Sequence, residues 1–322
     1  MTQPDVSVVI ATHNRARLLS RLVDAIERQR YDGEIELILV DDASTDGTWE
    51  ELQRLAAEAA VTMNPLRLPT NSGPGGARNL GWRSATAPRI LFTDDDCIPG
   101  PQWVKGLTDG LQATGMAQGV TLPNPEQQTN SGPFSRTLAV RRETGYYQTC
   151  NMAYRRDVLE SVNGFDARFT QAGEDTDLAW RALDAGAECT FVPTAVVHHD
   201  VRPSDLATQL RDTLRWRGVV LTVREHPHLR SKLHRHWFWK PSHPPAIAAG
   251  IGLLGLLLAR RSRTRVGALA LVTPYLAYRL HQQPVADGMG GRLVYVPAVL
   301  VADLAEVGVL AWGSARYRTL LL

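Results

Sequence analysis

The chain's 322 residues are 44% apolar and 21% charged, which excludes a largely disordered chain and allows one ordinary domain plus a module, or two small domains. Three cysteines, Cys97, Cys150 and Cys189, none in a C-x-x-C pair, exclude a disulfide framework and a zinc ribbon and imply a reducing compartment. The net charge of +2 conceals a division: residues up to Asp200 carry 18 Lys/Arg against 27 Asp/Glu, a balance of −9, and those from Val201 carry 17 against 6, a balance of +11.

Met1-Thr2-Gln3-Pro4-Asp5 lacks the basic-then-apolar pattern of a signal sequence, so the N-terminal half is expected not to be exported. Val6 to Ala11 is a short β-branched apolar run, read as a buried strand. From Arg15 the period changes, and Leu18, Leu19, Leu22, Val23 and Ile26 form a helical stripe. Ile35 to Val40 is the next strand and ends on Asp41-Asp42; a helix follows through Trp49, Leu52 and Leu55, then a strand near Leu66–Leu68. A glycine-rich turn, Asn71 to Gly76, leads into a third helix, and Arg89 to Thr93 runs into Asp94-Asp95-Asp96. Strands alternating with helices predict a mostly parallel α/β sheet, with polar residues gathered where such sheets bind ligands.

Thr121 to Tyr147 reads as a long loop, a length more often functional than structural. Order resumes at Thr149–Tyr154 and a short helix ending at Asn163-Gly164-Phe165; Gly173-Glu174-Asp175-Thr176-Asp177 opens another helix. Thr190–Val192 and Ala195–His199 read as two final strands. An amphipathic helix is expected from Ser204 to Val223, followed by the aromatic and cationic stretch His234–Lys240 that a membrane–water interface selects. Three apolar segments follow, Ala246–Ala259, Val266–Tyr278 and Val294–Trp312; only the third nears the ~20 residues that span a bilayer, and it carries Asp303 and Glu306. Arginines at 260, 261, 263 and 265 separate the first two, which are therefore expected to be re-entrant or interfacial. The basic residues flank apolar runs, favouring an anionic membrane over nucleic acid; buried helices of a soluble subdomain are the competing reading. The expected boundaries are 1–203 for the α/β domain, 204–240 for the linker and 241–322 for the hydrophobic region.

Three adjacent carboxylates at a strand end, Asp94-Asp95-Asp96, repel one another and lose hydration. A hard divalent cation, Mg²⁺ or Mn²⁺, removes that cost, and its remaining positions suit water and phosphate oxygens. Asp42 stands where a carboxylate meets a nucleoside base or ribose, while Ser44, Thr45 or Asp46 has the alternative of capping the next helix. The Asn71–Gly81 stretch matches neither G-x-x-x-x-G-K-[ST] nor G-x-G-x-x-G; glycines before a helix still favour an anion, with Arg78 as a charged donor. Glu174 and Asp175, in a first helical turn, would serve as dipole complements or as a general base. His198 or His199 would add an imidazole to a metal shell.

Val6–Ile10 with Asn14-Arg15, Val40–Thr48, Ala77-Arg78-Asn79 with Gly81, Phe92–Asp96, Asn163–Asp166 and Gly173–Leu178 resemble, in that order, the family-two glycosyltransferases of GT-A fold. The resemblance covers about Val6 to Asp200 and implies inverting transfer from a nucleotide-sugar donor with a divalent cation, Mn²⁺ or Mg²⁺. It implies that Ala11, Thr12, His13 and Arg15 line the donor pocket, that Asp42 binds base or ribose, and that Arg78 lies near the nucleotide. Asp94 and Asp96 would be the outer members of the D-x-D motif, Asp96 the leading metal ligand, and Asp95 near ribose and diphosphate. Asp175 takes the base position, and His198 the histidine that reaches metal or diphosphate, with His199 the alternate. Glu174 is the secondary acid.

The acceptor is expected to be a hydroxyl of a polysaccharide or glycolipid of the cell envelope, with the catalytic domain on the cytoplasmic side of the membrane. A metal-dependent nucleotidyltransferase and a non-catalytic membrane-bound sugar-nucleotide sensor are the competing functions.

Overall fold

Val6, Val8 and Ile10 face one side of their strand and Ser7 and Val9 the other, and all five are buried. A strand buried on both faces belongs to the interior of a sheet with helices above and below. The computed structural model, which describes residues 3–130, 132–281 and 288–322, has that arrangement. Strands β1 (Val6–Thr12), β2 (Ile35–Asp41), β3 (Thr62–Arg67) and β4 (Arg89–Thr93) run parallel. β5 (Cys97–Pro99), β6 (Met116–Pro123), β7 (Asn151–Arg155) and β8 (Cys189–His199) complete one eight-stranded mixed sheet, order β3-β2-β1-β4-β7-β6-β8-β5.

Period-two alternation divides the core into two layers. Val8, Ile10, Leu37 and Leu39 pack on Leu19, Leu22, Val23 and Ile26 of α1 (Ala16–Glu27), beside Trp103, Val104 and Leu107 of α4 (Trp103–Leu111). On the opposite side, Val9, Ile38, Val40 and Phe92 pack on Ala77 of α3 (Gly73–Ser84) and on Leu178, Ala179 and Ala182 of α6 (Glu174–Asp184). α3 lies so close to the sheet that a Cβ on Gly81 would stand 2.4 Å from Val9 Cγ1. Helices α2 (Thr48–Glu58) and α5 (Arg156–Ser161) complete this part.

The expected strand near Leu66–Leu68 begins earlier, at Thr62. The two expected final strands are one, β8, with its register against β6 shifted at Gly119/Val120. The expected loop from Thr121 is shortened by β6, and Thr121 and Val140 exchange backbone hydrogen bonds at 2.9 and 2.8 Å.

The chain divides into two units: Met1–Thr129 with Arg136–Val201, and Asn130–Ser135 with Arg202–Leu322. The second is helical. The expected amphipathic helix is α7 (Leu206–Thr213), capped by the Asp205 carboxylate on the Thr208 N–H at 2.8 Å, then a 3-10 turn and α8 (Arg217–Glu225). α9 (His243–Leu258), α10 (Ser262–His281) and α11 (Gly288–Tyr317) follow. α10 is longer than its apolar run implied, because Ser262–Arg265 joins it. Among the described residues one stretch, the 24-residue Val294–Tyr317, whose most apolar 18 residues have a mean hydropathy of 1.9, is long and apolar enough to cross a membrane. Val219, Val220 and Val223 of α8 pack against Leu310 of α11 and Leu321.

Candidate active site

Because β1, β2 and β4 are parallel, their C-terminal ends lie at one sheet edge, and each end carries polar side chains. The three carboxylates after β4 turn to three different partners. Asp94 Oδ1 pairs with Arg78 Nη2 at 2.6 Å. Asp95 Oδ2 accepts the Thr12 hydroxyl at 2.8 Å, and its Oδ1 is 3.9 Å from Arg15 Nε. Asp96 Oδ1 is 3.7 Å from His199 Nε2.

The antiparallel register sets Cys97 opposite His199 and Ile98 opposite His198. Alternate strand residues face opposite sides, so His199, the alternate, shares a face with Cys97 beside Asp96, and His198, the leading expectation, does not. Possible ligand atoms of Asp96, Cys97 and His199 lie within 4.8 Å of one another. Asp94 stands outside that group, with its Oδ1 on Arg78. Cys97 was not singled out from the sequence. Burial and the neighbouring Cys150 thiol push the Cys97 thiol well up, so it is a packed apolar group more than a ligand.

Asp42 is buried, and its Oδ1 accepts the Ser72 N–H at 2.7 Å, tying the glycine-rich turn to the end of β2. Burial raises the Asp42 carboxyl. Gly73 follows at φ +75°, where a Cβ would stand 2.1 Å from the Thr170 carbonyl oxygen; the turn's glycine is thus a packing requirement. His13 lies between these segments, its Nδ1 2.8 Å from the Asp42 carbonyl oxygen and 3.3 Å from Asn71 Nδ2. Ala11 pairs with Val40 in the ladder just before. Asp46 Oδ1 accepts the Thr48 N–H at 2.9 Å at the start of α2. Ser44 and Thr45 instead hold Asn14: the Asn14 N–H donates to Ser44 Oγ at 2.8 Å, and Asn14 Oδ1 accepts the Thr45 N–H at 2.9 Å.

Arg78 differs most from expectation. It is buried, and its guanidinium bridges two acids, with Nη1 3.3 Å from Glu174 Oε1. It is a link between the aspartate triplet and the start of α6 rather than an open phosphate donor. Its neighbour Asn79, unassigned in the sequence, clamps the Asn163-Gly164-Phe165 turn. Asn79 Oδ1 accepts the Phe165 N–H at 2.9 Å and the Trp82 indole at 2.8 Å, and Nδ2 donates to the Phe165 carbonyl at 2.8 Å. Arg181, held by Asp177 at 2.8 Å, donates to the carbonyls of Val162 and Gly164, each at 2.7 Å. The co-occurrence of these motifs is therefore mechanical: each closes a hydrogen-bond set opened by another.

Asp175 is half-buried, and its Oδ1 accepts the Thr176 N–H at 2.7 Å. Burial first, then the Glu174 charge, push its carboxyl up to about 7. Asp95 also rises to about 7, through burial and then Asp96. A carboxyl poised near neutrality among other charged groups suits a general base. The next turn of α6 holds the preceding loop, Thr176 Oγ1 donating to the Tyr146 carbonyl at 2.7 Å and Trp180 Nε1 to the Gly145 carbonyl at 2.9 Å.

Five acids, Asp94, Asp95, Asp96, Glu174 and Asp175, thus face two cations, Arg78 and Arg15. That excess, with carboxylate oxygens and an imidazole as donors at Asp96 and His199, fits a divalent cation of the Mn²⁺ or Mg²⁺ kind.

Comparisons with known proteins agree with the architecture. The family model for glycosyl transferase family 2 matches residues 7–163, and that for glycosyl transferase family group 2 matches residues 90–281. Glycosyltransferase AglE of Haloferax volcanii is 30% identical over 213 residues, 63% of this chain and 69% of that protein. The pre-mycofactocin glycosyltransferase of Mycobacterium tuberculosis is 32% identical over 222 residues, 65% of this chain; the match spans only 44% of that longer protein. The mannosyltransferase PcManGT of Pyrobaculum calidifontis, solved with GDP-Man and Mn²⁺, superposes with a TM-score of 0.66 over 94% of this chain and 88% of that one. At 20% identity that likeness speaks for the GT-A fold alone. The matched models, together with the mixed curled sheet, make this chain a member of the family-two glycosyltransferases.

Proposed function

We propose that this glycosyltransferase moves a sugar from a nucleoside-diphosphate donor to an acceptor hydroxyl in one inverting displacement assisted by a divalent cation. The observation that carries the reading is the Arg78 bridge, which joins the aspartate triplet to the Glu174-Asp175 pair. A donor-side acid cluster and a base of raised pKa then belong to one cleft.

Asp96 and His199 would hold the cation, with Asp94 released from Arg78 or reached through water. When bound, the cation supplies Lewis-acid stabilisation of the diphosphate charge that develops on the leaving group. The chain's own groups do the rest. Thr12 and Arg15 orient Asp95 toward ribose and diphosphate, and His13, Ala11 and Asp42 border the pocket for the base. Asp175 takes the acceptor proton as the hydroxyl attacks the anomeric carbon from the face opposite the leaving diphosphate. One displacement inverts the configuration, and no enzyme nucleophile is required.

The donors seen with solved relatives, GDP-Man with PcManGT and UDP-GlcNAc with Staphylococcus aureus TarS, make these two nucleotide sugars the first to test. We take residues 1–203 as the catalytic part, facing the cytoplasm, and 204–322 as linker and membrane-associated region. The acceptor would then be a lipid-linked or envelope saccharide. The test is release of nucleoside diphosphate from a donor panel with Mn²⁺ and with Mg²⁺. Pyrophosphate from nucleoside triphosphates would support a nucleotidyltransferase instead, and donor binding with neither transfer nor slow hydrolysis would support a sensor.

A further inference from the structure

The helical unit contains a polar centre that the reaction above does not use. Glu306 of α11 is 2% exposed and accepts Lys240 Nζ at 2.6 Å on Oε2, with His243 Nε2 3.3 Å away on the same oxygen. Gln209 Nε2 donates to Glu306 Oε1 at 3.4 Å. One helical turn earlier, Asp303 is 5% exposed and accepts the Tyr275 hydroxyl at 2.8 Å, the Ser242 hydroxyl at 3.4 Å and the Arg279 guanidinium. Beside this network lies a cavity of about 290 Å³, lined by Gln209, Lys240, Arg279, Asp303 and Glu306, with Phe134 and Tyr278 also in its wall.

Burying two carboxylates among apolar helices, held by cations that keep part of their surface exposed, is rarely the most stable packing available. A solvent-reaching cavity lined by both pairs lets a ligand's hydroxyls add to the contacts these groups already make with one another. Their charges select it. Asp303 and Glu306 balance Lys240 and Arg279, so the lining has no net charge to draw an ion. A dication at the Asp303, Glu306 and His243 group would stand against Lys240 and Arg279, and an anion would face both carboxylates. A hydroxyl both donates and accepts, so a polyol satisfies acids and bases together. The volume lies at the lower end for ligand pockets, the size of one ring, and two aromatic residues offer an apolar face to sugar C–H groups.

We infer that this cavity is a carbohydrate subsite that takes one neutral sugar ring of the acceptor or product. The choice of sugar over other polyols rests on the glycosyltransferase reading; the pocket itself does not.

The test is saturation-transfer NMR on the full chain in detergent micelles, in EDTA, with free D-mannose, D-glucose, D-galactose and N-acetylglucosamine as probes. At least one should bind saturably, with affinity unchanged by Asp96→Ala or Asp175→Asn. Gln209→Ala, which removes an amide from the wall, and Tyr278→Ala, which removes a ring, should each weaken it tenfold or more. Glu306→Gln should do the same where circular dichroism shows the fold retained. Silence from all four sugars, or binding indifferent to both wall variants, overturns the subsite. Stabilisation by MnCl2 that is lost in His243→Ala would make it a metal site, and displacement of the sugar by inorganic phosphate would make it an anion site. Turnover without this binding sinks the subsite alone, whereas binding without turnover leaves the subsite and sinks the proposed reaction.

Discussion

Arg78 and Glu174 are 96 residues apart in sequence, and their side chains meet at 3.3 Å in the interior of the α/β unit. The other arm of the same guanidinium holds Asp94. Removing this cation strands two acids, one of them nearly inaccessible, and a broken buried pair costs roughly 3–5 kcal/mol. Arg78→Met should lower the melting temperature by about 10 °C, since 1 kcal/mol is worth ~2–4 °C in a unit of this size. Arg78→Lys should recover only part of the loss, because an ammonium is a point charge and cannot fork between two carboxylates. Thermal denaturation followed by circular dichroism decides it; equal melting temperatures for all three proteins would show that the bridge carries no stability.

The proposed base, Asp175, would work only when ionised, and its carboxyl is pushed up to about 7 by burial and by Glu174. Activity is therefore absent well below pH 7 and gained as pH rises through it. The expected kcat/KM profile climbs tenfold per pH unit between pH 5 and 6.5 and levels above 7.5. Asp175→Asn should cut kcat by 10²- to 10⁴-fold, the range for loss of a general base, with donor affinity within threefold of wild type. A profile flat from pH 5 to 8, or near-normal turnover in the variant, removes Asp175 from the base role.

The register of β5 against β8 puts two neighbouring histidines on opposite faces, so the proposed cation site predicts different roles for them. His199→Ala and Asp96→Ala should each weaken Mn²⁺-dependent nucleoside-diphosphate binding by tenfold or more, and chelation should bring wild type to the same level. His198→Ala should stay within threefold. Isothermal titration with and without Mn²⁺ reads all four; a reversed order of the two histidine variants would move the cation to the opposite face of β8.

How far the sequence reveals this arrangement depends on how local each cause is. β1, β2 and β4 are legible because burial on both faces leaves a mostly apolar run, broken only by the mutually bonded Ser7 and Glu36, and the acids at their ends stand out against it. β6 escapes the same reading. Its Met116–Pro123 segment mixes apolar residues with Gln118 and Gly119, and the glycine has its reason in a distant residue: a Cβ there would stand 2.5 Å from the Asn151 amide. α4 has a sound stripe in Trp103, Val104, Leu107 and Leu111, but two glycines dilute it. The donor-side acids are readable as a group, whereas their partners are not. Nothing in the local sequence says that Arg78 turns inward to two acids or that Asn79 holds the turn at Phe165, because both depend on α3 and the 163–174 segment meeting.

The α9–α10 hairpin carries the last prediction. Leu257, Leu258 and Val266 are 83%, 72% and 65% exposed, and Arg260, Arg261, Arg263 and Arg265 between them are exposed too. α9 has 16 residues, about 24 Å at 1.5 Å per residue, short of a ~30 Å hydrocarbon core. A hairpin too short to span, apolar on its flanks and cationic at its tip, suits one leaflet, with leucines among acyl chains and arginines at headgroup phosphates. Each arginine near an anionic surface is worth about 1 kcal/mol. Replacing all four by Gln should therefore reduce the preference for phosphatidylglycerol over phosphatidylcholine vesicles by roughly a thousandfold, and 1 M NaCl should do much the same to wild type. Leu257→Asn with Leu258→Asn should weaken binding to both vesicle types alike. Comparing vesicle types isolates the arginines, because α11 contributes equally to each. Full-chain partitioning in which the four-Gln protein keeps the wild-type preference would remove the hairpin from the membrane surface.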